Sequence, residues 1–111
     1  MNAKSAITRL AALAQETRLA LFRLLVEAAP EGLCAGDIQV RLGVAGPTLS
    51  FHLKELVHAG LAQARPEGRF IYYAANLKAV DALVSYLTDN CCGGRPCAPA
   101  RRPAGGAGAL S

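Results

Sequence analysis

The stretch GPTLSFHLKELVHAG, from Gly46 to Gly60, constrains the fold of this chain more than any other segment. Leu49, Leu53, Leu56 and Val57 recur at i, i+4, i+7 and i+8, which predicts an amphipathic helix with one buried side. Pro47 suits the first turn of that helix, because its ring fixes φ and its missing N–H has no partner there. Gly60 is typical of the position just past a helix end, where a left-handed residue is preferred.

The opposite side of this predicted helix carries hydroxyls, an ammonium, an imidazole and an aromatic ring. In a DNA major groove such hydroxyl and ammonium groups reach base edges or phosphates, and an apolar ring meets a thymine methyl. A solvated surface helix is the alternative, since many polar helix faces contact only water. The residues predicted to contact DNA are Thr48, Phe51 and Lys54 opposite the apolar stripe, together with Ser50 and His52 on its flanks.

The neighbouring segments favour the DNA interpretation. A short helix over roughly Ala35 to Leu42, closed by Gly43, comes before the Gly46 helix, and two helices joined by a tight turn form a helix-turn-helix. After Gly60, the β-favouring residues 62–65 and 69–74 flank Pro66-Glu67-Gly68, which predicts a β-hairpin. A helix-turn-helix followed directly by a hairpin is a winged helix.

Three further helices are predicted over residues 3–14, 17–28 and 76–89, which gives a mainly α fold with a small β-hairpin. The second of these is apolar around most of its circumference and should be central to the core. The last helix repeats apolar residues at helical spacing, and we expect a second copy of the chain to bury them, beside the first helix. A homodimer also supplies two reading helices about one DNA turn apart.

Length and composition indicate one domain of residues 1–90 and a flexible, cysteine-containing tail of residues 91–111, rich in Gly, Pro, Ala and Arg. No run approaches the roughly eighteen apolar residues of a membrane span. The first ten residues lack the long apolar centre of a signal peptide, which predicts a cytoplasmic protein. We find no carboxylate pair, nucleophile–base arrangement or phosphate-cradling loop, so an enzyme is not expected.

Net charge says little about DNA binding here. The chain has 12 Lys and Arg against 8 Asp and Glu, but three arginines lie in the tail, which leaves 12 − 3 = 9 against 8 in residues 1–90. DNA binding must therefore depend on local placement of Arg41, Lys54, Arg65 and Arg69. Arg65 and Arg69 flank the hairpin tip, where a wing would meet phosphates, although exposed hairpins also carry charge for solvation alone.

Three of the four cysteines, Cys91, Cys92 and Cys97, are clustered in the tail. Two glycines between Cys92 and Cys97 allow the backbone to fold back, so three sulfurs can converge. Structural zinc prefers four ligands, whereas a soft, pyramidal, three-coordinate ion such as As(III) or Sb(III) suits three thiolates. Exposed thiols without a ligand, or a redox-reactive cluster, are the alternatives. Cys34 stands alone and is expected to be a small buried hydrophobe.

Three segments, ETRLALFRLL, GPTLSFHLKELVHAGL and GRFIYYAAN, resemble the ArsR/SmtB family of metal-responsive winged-helix repressors, specifically its arsenic-responsive members. The resemblance covers about Arg9 to Asn90, and the Ser50-x-His52-Leu53 pattern with Gly60-Leu61 downstream is a strong signal of the family. It implies that Thr48, Ser50 and His52 lie at the DNA face. It also implies a homodimer that joins through the first and last helices.

The inducer sites known in this family help to choose between ligands. Many arsenic-responsive members carry Cys-x-Cys at the start of the third helix. Here the first position is Cys34, but the second is Gly36, which has no thiol. The zinc-responsive members use His and acidic residues along the last helix, which has no His here. The resemblance therefore implies a repressor of an arsenic-resistance operon, released when As(III) or Sb(III) binds Cys91, Cys92 and Cys97.

Three other functions remain open from the sequence. A thiol redox sensor would release DNA on oxidation without any metal. A winged-helix repressor could respond to another ion, such as zinc or cadmium. A small protein that buffers arsenic or a metal would show no preference for an operator.

Overall fold

The computed structural model describes residues 1–94, with Cys91 and Cys92 described by their backbone alone. The predicted winged helix-turn-helix with a mainly α fold is confirmed. The predicted boundary at residue 90 stays a prediction, because residues 95–111 lie outside the described part. The elements are α1 (Ala3–Leu13), α2 (Glu16–Glu27), β1 (Leu33–Cys34), α3 (Ala35–Leu42), α4 (Gly46–His58), β2 (Ala62–Glu67), β3 (Phe70–Ala75), α5 (Leu77–Leu87) and a short 3-10 helix (Cys91–Gly94).

Side-chain caps fix where three of the helices begin. Asn2 Oδ1 accepts a hydrogen bond from the Ser5 amide at 2.9 Å, and Gln15 Oε1 accepts one from the Arg18 amide at 2.8 Å. Asn76 accepts from the Ala79 amide at 3.3 Å, so its predicted role as an N-cap is confirmed. Among the helices of residues 1–94, none is long and apolar enough to cross a lipid bilayer.

The wing belongs to a three-stranded antiparallel sheet with the order β1-β3-β2. Strand β1 was not predicted, because two residues are too short to show a strand pattern and Leu33 pairs with Tyr73 only in the folded chain. Strand β3 lies one residue later than predicted, so Arg69 forms the turn with Gly68 instead of starting the strand. Strand β2 extends further than predicted, because Pro66 and Glu67 belong to it. A proline is tolerated there because β2 is an edge strand.

The hydrophobic core lies between α2, α3 and α4, with α1, α5 and the sheet around it. The prediction that α2 is central is confirmed, since Leu21, Phe22 and Leu25 are buried. Its other side is not covered, and Leu19 and Val26 are exposed. The largest fully buried side chains are Leu21, Leu25, Ile38, Leu49, Leu56 and Leu61.

Helices α1 and α5 pack against each other, and three of the four residues that they bury are alanines. Ala6 and Ala12 of α1 and Ala79 and Leu83 of α5 are buried. Larger apolar side chains of both helices point outward. They include Ile7, Leu10, Leu77, Val84 and Leu87, all of them classed as exposed in the single chain.

Candidate nucleic-acid interface

Helix α4, the second helix of the helix-turn-helix, is held by its leucines. Leu49, Leu53 and Leu56 are buried against α2 and α3, as their spacing predicts. Burial of a leucine side chain contributes about 1.5–3 kcal/mol relative to exposure. The predicted stripe is not covered along its whole width, because Val57 is 37% exposed. These leucines fix which face of α4 the protein turns toward solvent.

Helix α4 ends in a defined C-capping motif. Gly60 has φ +80°, its amide donates to the Val57 carbonyl at 3.0 Å, and the Leu61 amide donates to the Leu56 carbonyl at 2.9 Å. These two bonds form a Schellman motif, which needs a left-handed residue at its centre. Side chains with a Cβ rarely adopt that φ, so glycine is required there. The predicted stop at Gly60 is confirmed.

The outer face of α4 presents most of the side chains predicted for DNA contact. Thr48, Ser50, Phe51 and Lys54 are all exposed, and the Phe51 side chain is 54% accessible. A solvent-facing phenyl ring beside two hydroxyls and an ammonium matches the chemistry of base edges, thymine methyls and phosphates. Their contact with DNA stays a prediction.

The prediction that His52 lies on this face is wrong. Its side chain is only 7% exposed, and its Nδ1 atom is 3.2 Å from Nη1 of Arg18. On a helical wheel His52 lies on the flank of the leucine stripe, so the wheel alone does not decide its burial. In the folded chain the buried arc of α4 is rotated toward His52 and Ala59 and away from Val57.

The environment of His52 favours the neutral form of its ring. Burial lowers the pKa of His52 below its ordinary value of 6.5, and the Arg18 guanidinium lowers it further, while Glu55 opposes these effects. Because a guanidinium only donates hydrogen bonds, Nδ1 accepts and the proton of the neutral ring is on Nε2. The edge of the ring also contacts Phe51, with centroids 5.3 Å apart.

The two wing arginines differ in how the protein uses them. Arg65 Nε donates to Glu67 at 2.8 Å and its Nη2 donates to the Glu31 carbonyl at 3.2 Å. Its guanidinium also lies 5.4 Å from the centre of the Tyr72 ring. Much of the charge of Arg65 is therefore engaged within the protein. Arg69 is exposed in the two-residue turn at the wing tip, which leaves it better placed for a phosphate.

Two arginines to which the sequence assigned no site role contact α4 from the other side. Arg9 of α1 donates from Nε to the Ala59 carbonyl at 3.2 Å. Arg18 of α2 contacts His52 and also donates from Nε to the Ala12 carbonyl at 2.7 Å. Helix α2 carries two arginines within its apolar repeat, Arg18 and Arg23, and the local pattern does not show that only Arg18 is half-buried. Nothing in the local pattern of α1 distinguishes Arg9.

Comparison with known proteins identifies the family to which this chain belongs. A profile described as a helix-turn-helix domain matches residues 13–62. HlyU, a transcriptional activator of Vibrio cholerae, is 30% identical over 86 residues, which cover 78% of this chain and 77% of HlyU. A Halobacterium salinarum protein named for repression of an arsenical resistance operon, ArsR, is 36% identical over 78 residues, 70% of this chain and 59% of that protein.

A solved structure agrees with these relatives. The homodimeric winged helix-turn-helix DNA-binding domain of a Mycobacterium bovis protein superimposes with a TM-score of 0.62 at 27% identity, and covers 83% of this chain and 85% of that one. The chain belongs to the ArsR family of transcriptional regulators. In this chain, α3 and α4 form the DNA-binding helix-turn-helix of the family, and β2 and β3 form the wing.

The cysteines predicted to sense an inducer fall at the limit of the described chain. Cys97 lies outside the described residues, and the same is true of the side chains of Cys91 and Cys92. Among the side chains that are described in residues 1–94, no three His, Cys, Asp or Glu residues come together as metal ligands. The ArsR-family inducer site at the three tail cysteines therefore stays a prediction.

Cys34 occupies the N-cap position of α3. It is half-buried rather than fully buried, and its thiol donates to Asp37 Oδ2 at 3.4 Å. The expectation of a plain buried hydrophobe is therefore wrong in part. Gly36, at the place of the second thiol in many arsenic-responsive members, has open space around its Cα.

Proposed function

We propose that this chain is a homodimeric repressor of an arsenic-resistance operon that leaves its operator when As(III), or Sb(III), binds Cys91, Cys92 and Cys97. The DNA-binding part rests on one observation above all: α4 is fixed by buried leucines while Thr48, Ser50, Phe51 and Lys54 face outward. The relative from H. salinarum supports the operon by its name. Such a protein would act in the cytoplasm, on double-stranded DNA.

Dimer formation is supported by the outward apolar face of α1 and α5. Ile7 of α1 is 65% exposed, and Val84 and Leu87 of α5 are exposed as well, although all three are large apolar side chains. Leu77, Val84 and Leu87 repeat at i, i+7 and i+10, so they form one stripe along α5. The M. bovis domain, which has the same fold, is homodimeric by its description. A second copy would bury this face by two-fold symmetry.

The arsenic site is supported by its donor set and by the backbone that carries it. Directly after α5, Gly93 has φ +65° and Gly94 has φ +89°, and both amides donate to the Asn90 carbonyl at 2.9 and 3.3 Å. The chain thus turns sharply at the first two cysteines. Trivalent arsenic prefers soft thiolate ligands. Each As–S bond would replace an As–OH bond, and the displaced hydroxide would leave as water together with the thiol proton.

Release would follow from the position of these cysteines at the end of a dimer helix. Binding that draws Cys97 toward Cys91 and Cys92 would favour one setting of α5 over another. If that setting places the two α4 helices out of register with successive major grooves, the ion and the operator bind competing states. A coupling of about 1–3 kcal/mol is enough for roughly a 5- to 150-fold loss of affinity.

Fluorescence anisotropy with the reduced protein on DNA from its own promoter region tests this function. Arsenite and antimonite should release the DNA, whereas zinc and cadmium should not. Replacement of all three tail cysteines by serine should leave DNA binding intact and abolish release. Cys34→Ser is the matched control, because it removes a thiol outside the proposed site and should still respond.

Other outcomes identify the alternatives. A triple variant that still releases DNA with arsenite contradicts the tail site. Release of the wild type by peroxide without any metal indicates a thiol redox sensor. Equal affinity for promoter DNA and random duplex at matched salt indicates that the chain is not a sequence-specific repressor, and an arsenic-buffering role then takes its place.

A further inference from the structure

Helix α4 and helix α1 are separated along part of their length by a cleft. The cleft has a volume of about 450 Å³ and is lined by Thr8 and Ala11 of α1, Glu55 and His58 of α4, and Arg18 of α2. A second cleft of about 340 Å³ lies beside Arg9 and Gly60. Apolar packing between the two helices is therefore interrupted here, although Ala12 of α1 and Ala59 at the end of α4 are both buried in the core. Hydrogen bonds from two arginines cross this region instead.

The first arginine joins the C-terminal end of α4 to α1 and α5. Arg9 Nε donates to the Ala59 carbonyl at 3.2 Å, and its Nη1 is 3.5 Å from the Ala79 carbonyl of α5. Ala59 is the C-cap of α4, so its carbonyl has no partner within the helix. A cation is also favourable at the negative end of the helix dipole. Asn76 holds the same turn by donating to the Gly60 carbonyl at 3.0 Å.

The second arginine joins the middle of α4 to the end of α1. Arg18 uses separate nitrogens for the two contacts, with Nε at 2.7 Å from the Ala12 carbonyl and Nη1 at 3.2 Å from His52 Nδ1. Both contacts are partly buried. Since His52 is a neutral acceptor, the bond to the guanidinium is charge-assisted and carries a defined direction.

The two attachment points on α4 lie on one side of the helix, two turns apart. His52 and Ala59 are seven residues apart, which is about 10 Å along the axis and within about 20° around it. The buried leucines hold α4 against α2 and α3, and a single polar attachment to α1 would add a constraint at only one point of the helix. Two attachments constrain its tilt relative to α1 as well.

We infer that Arg9 and Arg18 set the tilt of α4 relative to α1 and thereby determine which spacing of operator half-sites the dimer accepts. The inference rests on the proposed function, in which two copies join through α1 and α5. In that dimer α1 has a fixed relation to the two-fold axis, so the tilt of α4 determines the separation of the two reading helices. Half-sites one helical turn apart, about 34 Å, require that separation to be held closely. Arg9 and Arg18 are positioning residues and contact no DNA themselves.

The test uses the full chain and a set of duplexes that carry two half-sites selected by the wild type, with the spacer changed by one or two base pairs in either direction. One base pair rotates a half-site by about 35°, so the wild type should lose about tenfold in affinity on each neighbouring duplex. Arg9→Met and Arg18→Met remove the donors and keep an aliphatic side chain. Both variants should bind the neighbouring duplexes within about threefold of the preferred one.

Ratios of affinity separate this role from a general loss of stability. A variant that is only less stable has a smaller folded fraction, which weakens binding to every duplex by the same factor and leaves the spacing preference unchanged. Arg23→Met, at an exposed position of α2, is the matched control and should keep the wild-type preference. If Arg18→Met does not fold, Arg18→Lys keeps the charge but loses the two-point reach, and it should flatten the preference in the same direction.

If the wild type prefers one spacing and the arginine variants keep that preference, this inference is wrong and the proposed function still stands. Absence of any preferred duplex in the wild type overturns the proposed function and the inference together. The arginine variants therefore test the inference, and the wild type tests the proposed function, within the same experiment.

Discussion

Helix α4, the predicted recognition helix, and the wing are both predicted to contact DNA, but the rest of the protein supports the two elements differently. Helix α4 has leucines buried beneath it, a closed C-terminal turn and two arginine contacts on its inner side. The wing beyond Ala62 has exposed residues along β2 and at the tip, and its Arg65 is partly engaged by Glu67. Base reading needs a fixed geometry, whereas a phosphate contact tolerates movement. From this difference we predict that α4 reads the base sequence and that the wing makes charge-dependent phosphate contacts.

The largest expected effect is on the stability of the support beneath α4. Leu53→Ala removes a side chain that is 2% exposed, and should lower the free energy of unfolding by about 2–5 kcal/mol through lost burial and a residual cavity. Ile71→Ala in β3, where the side chain is 45% exposed, should change it by about 0.5 kcal/mol or less. Urea denaturation measures both. Equal losses would mean that α4 and the wing are supported alike.

A smaller effect is expected for the exposed ring of α4. Phe51→Ala should weaken operator binding by about 1–3 kcal/mol and relax selectivity at the base pair that the ring contacts, with little change in salt dependence. Competition with operators mutated one base pair at a time locates that position. If binding to operator and to random DNA fell by the same factor, the ring would not be reading sequence.

The wing should show the opposite signature. Arg69→Ala should reduce the slope of log affinity against log salt by about 0.9, and weaken binding to operator and random DNA alike. Arg65→Ala should change the slope by less, because Glu67 and the Glu31 carbonyl already occupy part of its guanidinium. Titrations at several salt concentrations give both slopes. A larger change for Arg65 than for Arg69 would contradict the engagement seen in the structure.

The smallest effect concerns pH and the inner side of α4. Because the pKa of His52 is lowered on folding, the unfolded chain takes up a proton more readily, so the stability present above pH 6.5 should decline as the pH falls below it. Urea denaturation between pH 7.5 and 5.5 measures this decline. His52→Gln should remove part of it, and His58→Gln, at an exposed position of the same helix, should not. An identical decline in both variants would show that His52 is not responsible.

Much of the fold was predictable because it depends on local chemistry. The span of α3, the N-cap Asn76, the end of α4 at Gly60 and the presence of the hairpin all follow from residues within a few positions of each other. The exposed side chains Thr48, Ser50, Phe51 and Lys54 follow from the same helical periodicity that buries the leucines. Strand β1 was missed because its partner lies forty residues away in sequence, where Leu33 pairs with Tyr73.

The sequence by itself determined which segments become helix, strand and turn, and which central stripe of α4 is buried, because apolar spacing and capping act over one or two turns. Only the tertiary structure decided the flanks of that stripe. His52 and Val57 both border the leucines, yet His52 is buried and Val57 is not, because Arg18 and the end of α1 cover one flank, whereas the other flank borders an open groove lined by Ala64 and Tyr73 of the hairpin. Periodicity gives the direction of a side chain, and the neighbours that fold against it decide whether water reaches it.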